Sequence, residues 1–291
     1  MEQIIVNIIY STCIYLIIAY SFTMIYYPTK FFHIAHAAII SLGAYFTFLF
    51  FKQSNISMWL AIPFATILSV LLGLSIELGI YKHLRRKNIS PLLMLIASLG
   101  LYVVLQNCIS MIWGDETKSI RIGEVIVGNE IFGAYITNIQ IVTIVISVSL
   151  FILSILFLKY HKIGKNIRAV ASNSELANIE GINSDKVILW SFGIGSGMAA
   201  IAGILVASDT GLTPTMGFNL LLYGVVAMII GGVGSTWGLI GGALLLATAQ
   251  HLTAFYIDSK WMDAITYIIL ILFLIWKPLG FSGKRLKKIE L

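Results

Sequence analysis

Long stretches without Asp, Glu, Lys or Arg alternate with short charged segments along the chain. The charge-free blocks cover residues 3–29, 31–51, 53–76, 88–114, 131–158, 187–208 and 210–257. A helix needs about 20 residues to cross the roughly 30 Å hydrocarbon core of a bilayer, and every block is long enough. The pattern therefore predicts a series of membrane-spanning helices.

The last part of the chain refines the number of crossings. The block 210–257 is too long for one helix, and the glycine-rich stretch 231–238 predicts a turn that divides it. A final short apolar segment near 262–276 contains Asp263. We predict a single all-α domain over residues 1–291, a polytopic transmembrane helical bundle of about nine membrane segments. Eight or ten segments fit the same pattern.

The positions of the basic residues orient this bundle. With the N-terminus outside and nine crossings, 15 of the 19 Lys and Arg residues fall in inner segments. This bias satisfies the positive-inside rule and predicts a cytoplasmic C-terminus. The basic tail at 284–288, after the last apolar segment, would then lie at the inner leaflet. The net charge of +6 therefore reflects membrane orientation, and we expect no nucleic-acid partner.

Composition excludes the other large classes of protein. The chain is 58% hydrophobic and 11% charged, too few charges to cover the surface of a soluble domain. Its two cysteines have no metal-ligand spacing, and the sequence contains no G-x-x-x-x-G-K-[ST] phosphate-binding loop. The glycines at 232–238 miss the dinucleotide-binding spacing by one residue. We expect no enzyme activity, no metal and no cofactor.

One inner loop, residues 159–186, carries its own structural signals. The sequence Ser172-Asn173-Ser174-Glu175 has the S-x-x-E form of a capping box and predicts a helix of about two turns, which Gly181 would end. A second short helix is predicted over 164–171. From these features alone, a docking surface and a plain connection between two spans are equally good interpretations.

The stretch 164–205, GKNIRAVASNSELANIEGINSDKVILWSFGIGSGMAAIAGIL, resembles the membrane permeases of branched-chain amino acid ABC importers. The similarity extends to residues 11–45, to Leu105-Gln106-Asn107 and to GGVGSTWGLIGGALL at 231–245. One departure is His33-Ile34-Ala35-His36-Ala37, where the family commonly has Asn-Phe-Ala-His-Gly. This departure leaves the family resemblance intact.

The resemblance implies a permease subunit of an importer in a bacterial inner membrane. It implies four kinds of partner: a second related permease, two cytoplasmic ATP-binding subunits, an extracytoplasmic substrate-binding protein and the lipid bilayer. The expected cargo is branched-chain or other hydrophobic amino acids, moved by alternating access. By the same resemblance the ATPase-coupling loop comprises Gly164, Arg168, Ala169, Ser172, Glu175, Ala177, Gly181, Ile182 and Asn183.

The translocation path and the class of transporter leave alternatives open. Gln106 and Asn107 lie deep in the predicted span 91–113, where they either line the path or form interhelical hydrogen bonds. His33 and His36 are predicted at the membrane interface. The alternative function is a stand-alone channel or secondary transporter for a small polar solute such as urea or an amide. The structured inner loop and the absence of a charged relay within the spans disfavour it.

Overall fold

The computed structural model describes residues 1–121, 128–131 and 133–281, and it is an α-helical bundle with one small hairpin. The predicted basic tail at 284–288 lies outside the described residues. In chain order the helices are α1 Glu2–Thr29, α2 His36–Phe48, α3 Met58–Ile76, α4 Lys82–Arg86, α5 Pro91–Trp113, α6 Asn138–Tyr160, α7 Lys162–Ser172, α8 Ser174–Ile179, α9 Ser184–Thr210, α10 Met216–Gly231, α11 Thr236–Tyr256 and α12 Met262–Trp276.

Three single turns extend these helices, and two strands pair between α5 and α6. The π-helical turns Leu49–Gln53 and Glu77–Tyr81 continue α2 and α3, and the 3₁₀ turn Ser259–Trp261 precedes α12. Strand β1, Asn129–Ile131, pairs antiparallel with β2, Ala134–Ile136.

Within the described ranges, seven helical stretches are long and apolar enough to cross a membrane. They are Glu2–Thr29, Met58–Arg86, Pro91–Trp113, Asn138–Tyr160, Ser184–Thr210, Thr236–Tyr256 and Ser259–Trp276. Helix α10 is apolar but shorter. The prediction of a helical polytopic membrane protein is therefore confirmed, and the glycine-rich turn separates α10 from α11 as expected.

The bundle has two distinct ends. At the hairpin end, the side chain of Gln3 near the start of α1 accepts a hydrogen bond from the backbone N–H of Tyr135 in β2, at 2.8 Å. At the basic end, Arg86 of α4 lies 3.2 Å from Asp185 at the start of α9. Helices α7 and α8 and the turn between α10 and α11 also lie at the basic end, and Tyr27 of α1 approaches Gly234 there.

Helices α1 and α9 form the centre of the bundle, while α5, α6 and α12 lie at its periphery, where few of their residues are buried. Small residues permit the central helices to approach closely. A Cβ atom added at Gly203 of α9 would lie 2.0 Å from the carbonyl oxygen of Ile40 in α2. The absence of a side chain at Gly203 therefore permits close packing of α9 against α2.

The segment between α1 and α2 turns back into the bundle, and this corrects the interfacial placement of the two histidines. His33 and His36 are completely buried. His36 Nε2 lies 3.1 Å from the hydroxyl of Ser21, eight residues before the end of α1 and so about 12 Å along the helix from that end. His33 Nδ1 lies 3.0 Å from the hydroxyl of Tyr81. The interfacial prediction was wrong because the chain folds back before α2 begins.

Candidate coupling and translocation sites

Helix α7 is held against the bundle by one apolar face. Gly164, Ile167 and Val170 are buried, at the three-residue spacing that places side chains on the same side of a helix. A Cβ atom at Gly164 would lie 2.3 Å from the carbonyl oxygen of Phe157 in the last turn of α6. The absence of a side chain at position 164 therefore lets α7 lie directly across the end of α6.

Asn173 begins helix α8, and the predicted capping box was wrong. The Asn173 side-chain oxygen accepts hydrogen bonds from the backbone N–H groups of Glu175 and Leu176, at 3.0 and 2.9 Å. Ser172 is the last residue of α7, exposed and one position too early to cap α8. Asparagine is among the preferred N-cap residues, so α8 still begins after a residue with a polar capping side chain.

The end of α8 follows the prediction at Gly181. Gly181 has a φ angle of +81°, and its backbone N–H donates to the carbonyl of Asn178. The N–H of Ile182 donates to the carbonyl of Ala177 at 2.9 Å, which completes a Schellman motif. Asn183 then caps α9, since its side-chain oxygen accepts from the N–H of Lys186 at 3.0 Å.

Helix α8 presents its large apolar side chains to solvent. Leu176 is 56% exposed and Ile179 is 81% exposed. Ala177 points the other way and is buried against Ile167 and Val187. Sequence reasoning missed Leu176 and Ile179, because a helix of six residues is too short to show a hydrophobic period. An exposed apolar face of this kind is typical of a protein interaction site.

The remaining coupling-loop residues take separate positions. Ala169 in α7 and Ile182 between α8 and α9 are half-buried, and Glu175 is exposed in the first turn of α8. Arg168 is exposed, and it lines a cavity between α1 and α6 together with Lys159 and Tyr20. The structure therefore brings the predicted residues into one compact two-helix segment in which they point in different directions.

An ion-pair network joins this segment to the rest of the basic end. Asp185, in the first turn of α9, lies 3.5 Å from Arg85 and 3.7 Å from Lys82. Arg85 also contacts Glu77 at 2.5 Å, and Glu77 is only 1% exposed. The buried Glu77 carboxylate is thus paired with the basic cluster. The network connects α9, which directly follows α8, with the stretch from α3 to α4.

Gln106 and Asn107 lie on the peripheral helix α5. Gln106 is half-buried and its amide donates to the hydroxyl of Ser110 at 3.4 Å. Asn107 is exposed, and its amide donates to the carbonyl of Val103 at 2.7 Å. Both hydrogen bonds remain within α5. Among the described residues, neither Gln106 nor Asn107 forms the interhelical hydrogen bond that was one of the two predicted alternatives.

Taken together, the spans and the exposed two-helix segment at one end define a polytopic α-helical membrane protein with a candidate docking site for another protein. A model of the family described as "Branched-chain amino acid transport system / permease component" matches residues 4–274. The chain belongs to this permease family, and the predicted resemblance is confirmed. Such permeases are transport proteins and not enzymes.

Curated relatives cover nearly the whole chain. The high-affinity branched-chain amino acid transport system permease protein LivH of Salmonella typhimurium is 31% identical, over 93% of this chain and 91% of its own. The corresponding protein BraD of Pseudomonas aeruginosa is 29% identical over 93% and 92%. A probable LivH permease of Methanocaldococcus jannaschii is 26% identical over 97% and 92%. No solved structure matches the chain.

Proposed function

We propose that this chain is the permease subunit of an ATP-driven importer and forms part of the path by which branched-chain amino acids cross a bacterial inner membrane. Membership of the permease family and the substrate named for LivH and BraD support this proposal. The sequence has no phosphate-binding loop, so ATP hydrolysis falls to separate subunits. The stand-alone channel or secondary transporter is not favoured by this family membership.

The same proposal includes nine membrane segments, with the N-terminus outside and the C-terminus in the cytoplasm. Nine is the number obtained when α10 and the segment from Lys30 to Gln53 are added to the seven long spans. The positive-inside rule then places the basic end in the cytoplasm. A reporter enzyme that is active only in the cytoplasm tests this orientation. Fused to the α7–α8 segment it should be active, and fused to the hairpin segment it should be inactive.

Four partners follow from this function: a second related permease, two cytoplasmic ATP-binding subunits and an extracytoplasmic substrate-binding protein. The exposed face of α5 is the surface that would contact the second permease. Asn107 projects there from a helix that contacts the bundle mainly through α2. Gln106 and Asn107 would then line a path between the two permeases, where polar side chains meet water and not lipid.

The exposed apolar face of α8 is the observation that carries the coupling proposal. Leu176 and Ile179 would enter a cleft of the ATP-binding subunit, while α7 keeps α8 fixed to the bundle. Closure of the ATPase would then move α8 as a rigid body. Asp185 lies at the start of the next helix, so its contact with Arg85 would pass that movement to α3 and α4.

The experiment compares charged and apolar substitutions at these two positions. Leu176→Asp and Ile179→Asp should each lower leucine uptake about tenfold or more and reduce co-purification of the ATPases, because they remove an apolar contact at an interface. The matched controls, Leu176→Met and Ile179→Met, keep an apolar side chain and should retain uptake. Normal uptake in both aspartate variants, at normal membrane abundance, would contradict the coupling proposal.

A further inference from the structure

A continuous groove runs between α1, α6 and the turn that joins α10 to α11. Two cavities of about 270 and 830 Å³ adjoin there. They share Tyr27, Ile155, Gly234 and Thr236 in their walls, so they form one groove, which we call the α1–α6 groove. It belongs to neither the α8 surface nor the face of α5 discussed above.

The groove has the length and the lining of a site for a hydrocarbon chain. Its α1 wall extends from Thr12 to Tyr27, 15 positions later and so about 22 Å further along the helix. One leaflet contributes about half of a hydrocarbon core of roughly 30 Å, so the groove spans a leaflet in depth. Val148, Phe151 and Ile152 form its α6 wall, and Ile152 is 50% exposed.

Positive charge is concentrated where the groove reaches the basic end. Lys159 at the end of α6 and Arg168 of α7 both line it. Lys30 Nζ lies 4.8 Å from the centre of the Tyr27 ring; it is buried and has no hydrogen-bond partner among the described residues. Neither Asp nor Glu occurs in the described lining of either cavity. The cations at this mouth therefore face no compensating acid in the groove wall.

We propose that the α1–α6 groove binds an anionic phospholipid. One acyl chain lies along the apolar walls, and the phosphate accepts hydrogen bonds from Lys159 and Arg168 at the basic end. A ligand with one charged end and one long apolar part matches this distribution of side chains, with cations at one end only. The assignment stands independently of the transported substrate.

The first test measures which lipid the protein retains. The full chain, purified with its partner subunits in mild detergent, is incubated with equal amounts of phosphatidylglycerol and phosphatidylcholine, and native mass spectrometry counts the bound lipids. We expect a preference of roughly 25-fold for phosphatidylglycerol, because each of the two basic side chains supplies about a factor of five. Equal retention of the two lipids would overturn the proposal.

Paired variants locate the site. Lys159→Gln should lower the preference about fivefold, because Arg168 remains, whereas Lys162→Gln, which removes an exposed cation outside the groove lining, should leave it unchanged. Ile155→Trp fills the region shared by the two cavities and should lower retention of both lipids, while Leu153→Trp on the exposed side of α6 should not. Wild-type retention in Lys159→Gln and in Ile155→Trp would exclude this groove.

A crosslinking arm distinguishes a lipid from a protein occupant and does not depend on the stability of the tryptophan variant. A photoreactive benzoylphenylalanine replaces Ile152, and the full complex is irradiated in its native membrane. A lipid-mass adduct on the chain is the expected product. Crosslinking of this position to a partner subunit would overturn the proposal, because the groove would then be a protein interface.

Discussion

Helices α7 and α8 are neighbours in one loop, yet their apolar residues face opposite environments. α7 turns Ile167 and Val170 into the bundle. α8 buries only Ala177 and leaves Leu176 and Ile179 exposed. The two helices therefore have different roles in the segment. α7 fixes its position, and α8 presents an apolar surface that the chain itself does not cover.

The largest effect is expected where α7 is anchored. Gly164→Ala should lower the free energy of unfolding by about 1–3 kcal/mol, because the new Cβ would meet backbone atoms of Phe157 and Leu158 at 2.3 and 2.6 Å. Thermal unfolding of the purified chain and the abundance of the variant in the membrane measure this loss. The matched control is Gly79→Ala, where a Cβ meets no described atom within 4 Å. If both variants unfold like the wild type, α7 is not an anchor.

A smaller effect is expected at the end of α8. Gly181→Val should cost roughly 1–2 kcal/mol locally, because a φ angle of +81° is unfavourable for an L-residue and most of all for a β-branched one. Uptake should fall sharply while membrane insertion remains normal, since the altered turn reorients α8. Asn tolerates the left-handed region, so Gly181→Asn should retain most uptake. Equal uptake in the two variants would show that this turn does not position α8.

The smallest effect is expected at the start of α8. Asn173→Ala should destabilise the helix by about 1 kcal/mol, because two backbone N–H groups lose their acceptor. Hydrogen exchange at the amides of Glu175 and Leu176 should become about fivefold faster. Ser172→Ala should leave that exchange unchanged. If exchange became faster in Ser172→Ala and not in Asn173→Ala, Ser172 would be the cap, as the capping box predicted from sequence requires.

Local signals in the sequence were reliable wherever one residue type decides the geometry. Ser90-Pro91 is one such signal, since a capping residue followed by proline favours a helix start, and α5 begins at Pro91 with Ser90 accepting a hydrogen bond from the N–H of Leu93. Gly181 predicted a left-handed residue for the same kind of reason. The capping box failed because Ser172 and Asn173 are both good caps, and only the meeting of α7 and α8 selects between them.

The candidate sites were predicted less completely than the fold. The coupling segment was located by resemblance, but its most exposed apolar residues, Leu176 and Ile179, were not among the predicted residues. The resemblance placed Ala177 in the coupling loop, and in the structure Ala177 packs inward. Whether a side chain serves the bundle or a partner depends on the rotation of a two-turn helix, which is too short for hydrophobic periodicity to fix.

The sequence by itself determined the membrane class, the long spans and the family, because the cost of placing charge or unpaired backbone in lipid leaves few alternatives. Only the tertiary structure decided that the chain folds back before α2, that His33 and His36 are buried, and that α8 projects its apolar face. These features depend on contacts between residues far apart in the chain, such as His36 with Ser21 and Asp185 with Arg85. No local pattern encodes such contacts, since each is set by how complete helices pack together.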